Sequence, residues 1–275
     1  MEHDEQPIYR TGTLVYHQSA LTRLFFLLMW GDFCFTMNSS VDPAVLPFML
    51  DKLTASNLII SLLVTTIPAF LNFILNPIIS TASDRYRSKW GRRIPFLAIA
   101  TPFIVVTLIL TGYAPDIGLF LQRTLGISRT IPVALIFLCA ITVLYRISYL
   151  FVATTFYYLF NDVVPEAVMG RFTTGFRVFG IIASSLFSLI GFGYIKTHPE
   201  YVCTAAALIY LIGFGFMCMK VKEGDYPPPS DSLATPNPLK MIKVYATECF
   251  FHRIYIYYFL GYAFSDLFFE LALTL

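Results

Sequence analysis

The sequence predicts an all-α membrane protein with seven spanning helices, and composition is the first evidence for it. Of the 275 residues, 57% are hydrophobic and only 13% are charged, and the mean hydropathy is +0.68. Soluble domains carry about 25% charged residues because their surface faces water. The excess apolar surface must therefore contact lipid. The 27 Phe and 17 Tyr suit both the hydrocarbon and its interfaces.

Segment length is the second piece of evidence, because a helix needs about 20 apolar residues to cross a bilayer. Seven stretches qualify, at residues 24–50, 57–80, 94–113, 132–160, 173–195, 201–219 and 254–275. They do not alternate polar and apolar residues as the strands of a membrane barrel would, so we predict helices. A proline-rich stretch precedes the last span. We therefore expect a six-helix bundle at 1–222, a solvated linker at 223–253 and a seventh helix at 254–275.

Charge asymmetry gives the orientation. With the N-terminus placed in the cytoplasm, thirteen Lys and Arg fall in inside segments and four fall in outside loops. Lys and Arg are enriched in cytoplasmic loops, so we predict a cytoplasmic N-terminus. The net charge of +2 is too small to indicate a nucleic-acid partner.

No residue pattern indicates a metal site, a cofactor or an enzyme. The five cysteines are scattered without the spacing of zinc ligands, and we expect buried thiols. The four histidines lie outside the spans or near their ends. We therefore expect no metal, no cofactor and no enzymatic activity.

Two loop motifs are the most specific features of the sequence. The loop at 81–93 places Asp84 directly before Arg85 and ends in Gly-Arg-Arg, and the stretch at 161–172 contains Asn-Asp-Val-Val-Pro followed by Gly-Arg-Phe. These motifs closely resemble loop signatures of the major facilitator superfamily. Their spacing resembles the glycoside-pentoside-hexuronide:cation symporter branch. The resemblance implies transport of a sugar or glycoside by alternating access.

The same resemblance implies a gate at these loops. Its candidate residues are Asp84, Arg85, Arg92, Arg93, Asp162 and Arg171. Carboxylates are stabilised at helix N-termini, and Arg can bind carboxylates through two parallel hydrogen bonds. The superfamily pattern begins with Gly four residues before the acid, where this chain has Ser80, which is small enough for close helix contact.

Ionisable residues inside the spans are costly in lipid and face a cavity or a partner. The substrate-binding candidates are Asp32, Trp30, Arg177, Arg146, Tyr149 and Tyr157. Carboxylate and Arg groups suit sugar hydroxyls, and aromatic faces stack on sugar rings; the alternative role of each charge is an internal salt bridge. In the glycoside-cation symporters a first-helix Asp and a fifth-helix Arg bind the sugar. This implies the same role for Asp32 and Arg177, while Tyr157 occupies the place of that site's fourth-helix acid.

The coupling ion has its own candidates, namely Asp32, Asn72, Asn76, Asp266 and Glu270. The resemblance implies a sodium site with two acids at the end of the second span, where this chain has Asn72 and Asn76. These share a helix face but carry no charge, so we expect that sodium site to be absent. Proton coupling through Asp32, Asp266 or Glu270 is expected instead, with uncoupled facilitation as the alternative. Asp266 and Glu270 are one turn apart and would share one proton, or pair with Arg146 or Arg177.

Complete members of the superfamily have twelve helices in two halves. We therefore expect a major facilitator-type six-helix N-terminal bundle plus the first helix of a truncated C-terminal bundle. The expected partners are a small-molecule solute, a sugar first, together with a proton and the lipid bilayer of the cell's cytoplasmic membrane. Two alternatives stay open: a carrier of another small polar solute, such as a nucleoside, a peptidoglycan fragment or an organic anion, and a membrane remnant that does not transport.

Overall fold

The computed structural model describes residues 8–126, 132–226, 247 and 253–274. It begins with a short antiparallel hairpin in which β1 (Tyr9–Thr11) pairs with β2 (Leu14–Tyr16). The hairpin was not predicted, because two strands of three residues leave no readable alternation. The rest of the described chain is dominated by helices.

The helices follow the predicted spans closely. They are α1 (Gln18–Lys52), α2 (Asn57–Ser61), α3 (Ile67–Arg85), α4 (Ile94–Gly112), α5 (Ala114–Thr124), α6 (Val133–Val163), α7 (Glu166–Ile195), α8 (Pro199–Lys220) and α9 (Arg253–Thr274). A π-helical turn, Leu62–Thr66, joins α2 and α3 into one continuous helix. Within the described residues, six helices are long and apolar enough to cross a membrane. The prediction of a mainly helical, multi-pass membrane protein is confirmed, and α9 coincides with the seventh predicted span.

Helix boundaries differ from the prediction where local chemistry extends a helix beyond its apolar stretch. Helix α7 begins at Glu166, seven residues before the predicted start at 173, because Pro165 precedes it and an acidic residue stabilises its first turn. Helix α5 was not predicted at all. It follows α4 after one residue and begins with Pro115 in its first turn, a position where proline is well tolerated.

The chain divides into two compact units, Met1–Pro228 and Pro229–Leu275. In the first unit, α1 packs against α7 and α8, while α4 packs against α6 and α8. Aromatic rings fill the space between α6 and α7, where the ring centres of Phe160 and Phe176 are 4.6 Å apart. Helix α1 faces α6 through side chains rather than through close backbone packing, as where Phe35 stacks on Tyr149 with ring centres 5.3 Å apart. This spacing leaves room for polar side chains between the two helices.

Candidate functional site

The first polar assembly, which we name the arginine cluster, lies where several helices end. It comprises Asp84, Arg92, Arg93, Asp162 and Glu223. Arg92 binds both carboxylate oxygens of Asp162, with a distance of 3.0 Å from Nε to Oδ2, and Arg93 Nε lies 3.0 Å from the same oxygen. Arg93 also contacts Asp84 and Ser83. The cluster therefore joins the loop after α3 to the end of α6.

Four of the six gating candidates meet in this cluster. The other two are Arg85, which is the last residue of α3 and directly follows Asp84, and Arg171, which is exposed on α7. The pairing of Asp162 with both arginines is the firmest contact, because Asp162 is only 9% exposed while Asp84 is 49% exposed.

Glu223 is the cluster member that sequence reasoning missed. Its carboxylate accepts hydrogen bonds from the backbone N–H groups of Arg92, Arg93 and Ile94 at 2.9, 2.8 and 2.7 Å. These donors surround the start of α4, where N–H groups lack partners inside the helix. Burial raises the pKa of the Glu223 carboxyl, although the three backbone N–H groups act in the opposite direction. A Glu three residues after a helix could have been tested as a cap for a neighbouring helix.

The residues after Glu223 also pack against the bundle, unlike the solvated linker expected from residue 223. The Tyr226 ring lies over the Arg92 guanidinium, 4.0 Å from its carbon to the ring centre. The backbone N–H of Asp225 donates to the Thr13 hydroxyl of the hairpin at 2.8 Å. The proline content of the stretch concealed these contacts; residues 227–246 lie outside the described residues.

The close approach of Glu223 requires a glycine at position 91. Gly91 has a φ of +106°, and a Cβ there would lie 2.5 Å from Glu223 Cδ. A side chain would therefore meet both backbone strain and a steric clash. This explains physically why the loop motif has a glycine at position 91.

The second assembly, which we name the polar track, lies between α1 and α6. It comprises Asp32, Thr36, Ser39 and Asp42 of α1 with Arg146, Tyr149 and Tyr157 of α6. Spacings of three, four or eight residues place them along one face of each helix. Asp42 meets Arg146 while Asp32 is close to Tyr157, so the two helices run in opposite directions.

Asp42 and Arg146 form an ion pair between α1 and α6. Asp42 is 4% exposed, so the pair sits deep in the bundle. Sequence reasoning considered Asp266 and Glu270 as partners of Arg146 and overlooked Asp42. The signal was present, because Asp42 is a carboxylate inside the first predicted span.

Asp32 closes the other end of the track and is 2% exposed. Its Oδ1 accepts a hydrogen bond from the Thr36 hydroxyl at 3.3 Å, whereas its Oδ2 is buried with no hydrogen-bond partner among the described residues. Helix α7 presents Gly180 here, and a Cβ at that position would lie 3.2 Å from Oδ2. One turn earlier on α7, the charge of Arg177 acts on Asp32.

Two tyrosines of α6 complete the track. Tyr157 is exposed and interacts electrostatically with Asp32 and Arg177, so a carboxylate, a guanidinium and a phenol are grouped at this end. Tyr149 lies between the two ends, near the Ser39 hydroxyl and Arg146. The track thus offers hydrogen-bond donors and acceptors beside aromatic surface.

Comparison with known proteins gives this arrangement a context. Residues 29–274 match a family model described as MFS/sugar transport protein. The chain belongs to this family. The match confirms the predicted resemblance to the major facilitator superfamily and identifies a transporter family rather than an enzyme.

One relative of this MFS/sugar transport chain is the membrane-associated transporter protein of Mus musculus. It is 35% identical over 95 residues, which is 34% of this chain and 15% of the relative. The chain therefore matches about a seventh of the length of that relative. No solved structure matches.

The structure does not bring all the substrate-binding candidates together. Trp30 lies two residues from Asp32 and so points to a different side of α1. It stacks on Phe33 with ring centres 5.7 Å apart and faces Gly213 of α8. The other candidates, Asp32, Arg146, Tyr149, Tyr157 and Arg177, lie along the α6 and α7 side.

The coupling-ion candidates are divided between two units of the chain. Asn76 accepts a hydrogen bond from the Thr154 hydroxyl of α6 at 2.5 Å, and Asn72 is exposed one turn earlier on α3. Asp266 and Glu270 belong to α9, and their side chains lie outside the described residues. Within the described part of the chain, no group of three or more His, Cys, Asp or Glu side chains could hold a metal ion.

Proposed function

We propose that the protein transports a sugar or glycoside by alternating access and that the polar track forms part of the binding surface. The observation that carries this proposal is Asp32. Its Oδ2 is buried and has no hydrogen-bond partner among the described residues, in a place where Arg177 and Tyr157 are close. A buried acceptor left unpaired costs about 1–3 kcal/mol, and a hydroxyl of the solute would remove that cost.

The chemistry of the track supports a sugar over less polar solutes. Each sugar hydroxyl both donates and accepts, so it can bridge the Asp32 carboxylate and the Arg177 guanidinium. The exposed ring of Tyr157 adds an aromatic face beside them. The family description, MFS/sugar transport protein, agrees with this solute class.

Proton coupling through Asp32 is the coupling mode that we favour. Sodium needs charge and several oxygen ligands, whereas Asn72 and Asn76 are neutral and the Asn76 oxygen already accepts from Thr154. A proton needs only one carboxylate, and Asp32 supplies it beside the proposed solute. Asp266 and Glu270 remain secondary candidates for the same role.

The arginine cluster serves as the gate in this proposal. Its ion pairs tie the 81–93 loop to the end of α6 and must separate if these helices move apart. The excess of basic residues on this side supports a cytoplasmic location for the cluster. We therefore place the protein in the cell's cytoplasmic membrane with its N-terminus inside.

Uptake of labelled sugars by proteoliposomes tests the proposal, with Asp32→Asn as the variant and Asp116→Asn as its control. Asp116 is exposed on α5, away from the track. We expect Asp32→Asn to lower sugar uptake by about tenfold or more, the equivalent of one lost buried hydrogen bond, and Asp116→Asn to leave it unchanged. An inwardly directed proton gradient, with the acidic side outside the proteoliposomes, should accelerate uptake by the parent protein but not by Asp32→Asn.

The other outcomes separate the alternatives. If Asp32→Asn took up sugar as fast as the parent protein, the track would not be part of the binding site. If the proteoliposomes took up a nucleoside or an organic anion and none of the sugars tested, the protein would be a carrier of another polar solute. Correct insertion without uptake of any of these solutes would support the non-transporting membrane protein.

A further inference from the structure

A groove of about 970 Å³ lies between α4 and α8, apart from the polar track. Apolar side chains of the two helices form its walls: Ile94, Pro102, Leu211, Ile212, Phe216 and Met219. Ile212 is 72% exposed and Met219 is 77% exposed, so the groove is open along its α8 side. Within a membrane-spanning bundle, an open apolar side faces lipid.

One end of the groove differs from its walls because it is cationic. Lys89 and Trp90 of the 81–93 loop and Lys222, two residues after α8, line this end. All three side chains are exposed. Trp is enriched where a membrane meets water, and long Lys side chains reach toward the headgroups from the same depth.

The acidic residue at this end does not cancel the two lysines. Glu223 also lines the groove, but its carboxylate oxygens accept hydrogen bonds from three backbone N–H groups at the start of α4. The two lysine ammonium groups therefore remain as the exposed charges at the rim. A phosphate group carries the complementary charge.

We propose that this groove binds an anionic phospholipid. Its phosphate lies between Lys89 and Lys222, and an acyl chain lies along α8 over Ile212 and Phe216. The groove has the size of a ligand pocket, about 300–1,000 Å³. Basic pockets between spanning helices bind anionic headgroups in this way. A zwitterionic lipid fills the apolar part equally well but lacks the net charge for the rim.

The two tryptophans of the chain make the site directly observable. Trp30→Phe leaves Trp90 at the rim as the single tryptophan. Brominated phosphatidylglycerol and brominated phosphatidylcholine are each titrated into bilayers of phosphatidylcholine over the same range of mole fractions, and the quenching of Trp90 fluorescence is measured. We expect half-maximal quenching by the anionic lipid at a mole fraction lower by on the order of tenfold.

Three variants in the Trp30→Phe background separate the contribution of charge from that of shape. Lys89→Gln with Lys222→Gln should remove the preference, whereas Arg10→Gln with Arg23→Gln, exposed residues near the start of the chain, should keep it. Gly215→Leu should weaken quenching by the anionic lipid, because Gly215 lines the groove and a Cβ there meets no atom within 4 Å.

Three results would overturn the proposal. Equal quenching by the two lipids would deny a preference for anionic lipid, and equal loss in both double variants would reduce it to general attraction by basic residues. Relief of quenching by inorganic phosphate at millimolar concentration would show a site for free phosphate rather than for lipid.

Discussion

The arginine cluster and the polar track contain the same kinds of side chain, but they differ in how completely their carboxylates are hydrogen-bonded. In the cluster, Asp162 accepts from two arginines and Glu223 accepts from three backbone N–H groups. In the track, Oδ2 of Asp32 is buried without a hydrogen-bond partner among the described residues. Because buried polar groups are normally paired, the cluster is complete by itself, whereas the track has capacity for another molecule.

The two ends of the track repeat this contrast on a smaller scale. At one end, Asp42 and Arg146 satisfy each other's charge. At the other end, the described part of the chain gives Asp32 one long hydrogen bond, from Thr36, and the more distant charge of Arg177. Paired charges therefore fix the helices, and the incompletely paired carboxylate is the better candidate for function. The following variants test that distinction.

Asp42→Asn should have the largest effect on stability. It leaves the Arg146 guanidinium inside the bundle without its counter-charge, which costs about 3–5 kcal/mol. Thermal unfolding of the solubilised protein measures this loss. Asp42→Asn combined with Arg146→Gln should recover most of it, because no charge is then left alone. A single variant as stable as the parent would contradict a fixing role for the pair.

Asp162→Asn should destabilise the arginine cluster by about 3 kcal/mol, because two arginines lose their buried partner. Asp84→Asn should cost below about 1 kcal/mol, since Asp84 is half exposed and water screens its contacts. Unfolding midpoints of the two variants, measured side by side, give the comparison. The reverse order would show that Asp84 is the centre of the cluster.

Gly91→Ala should cost about 1–3 kcal/mol, because the position combines a positive φ with the close approach of Glu223. Gly126→Ala is the matched control. Gly126 also has a positive φ, at +62°, but a Cβ there meets no atom within 4 Å. The difference between the two unfolding free energies isolates the contact with Glu223, and equal losses would mean that backbone strain alone matters.

The smallest expected effect is the pH dependence that Glu223 contributes. Burial raises the pKa of its carboxyl above the ordinary value of 4.5. Such a group contributes stability that is full below pH 4.5 and is lost as the pH rises through the folded-state pKa. The melting temperature of the parent protein should therefore fall over this range relative to Glu223→Gln. A constant difference in melting temperature between the two proteins from pH 4 to 7 would show that Glu223 does not titrate in this way.

The sequence specified the spans well because lipid leaves the backbone few choices. An apolar stretch of about 20 residues must be helical in a bilayer, so six predicted spans recur with shifted ends. The hairpin was missed because strands of three residues show no period, and α5 was missed because its eleven residues are too few to span a bilayer. The ends of helices moved wherever a proline or an acidic residue, such as Glu166, favoured a longer first turn.

The candidate site was only partly predictable, because partner choice depends on packing between distant residues. The loop motif located Arg92 and Arg93, and the cost of charge in lipid located Asp32 and Arg177. Applied to every ionisable residue of the first predicted span, the same cost of charge in lipid would also have identified Asp42. Its pairing with Arg146 depends on how α1 and α6 face each other, which no local pattern records. The separation of Trp30 from Asp32 follows from helix geometry, since two residues are about 200° apart around the axis.

The π-helical turn at Leu62–Thr66 has a consequence for how this chain can vary. Such a turn holds one residue more than an α-helical turn. Loss of one codon within this stretch would convert the turn to regular α-helix while α3 keeps its position. Asn76 would still reach Thr154, so this is a place where the gene can shorten without rebuilding the contact between α3 and α6.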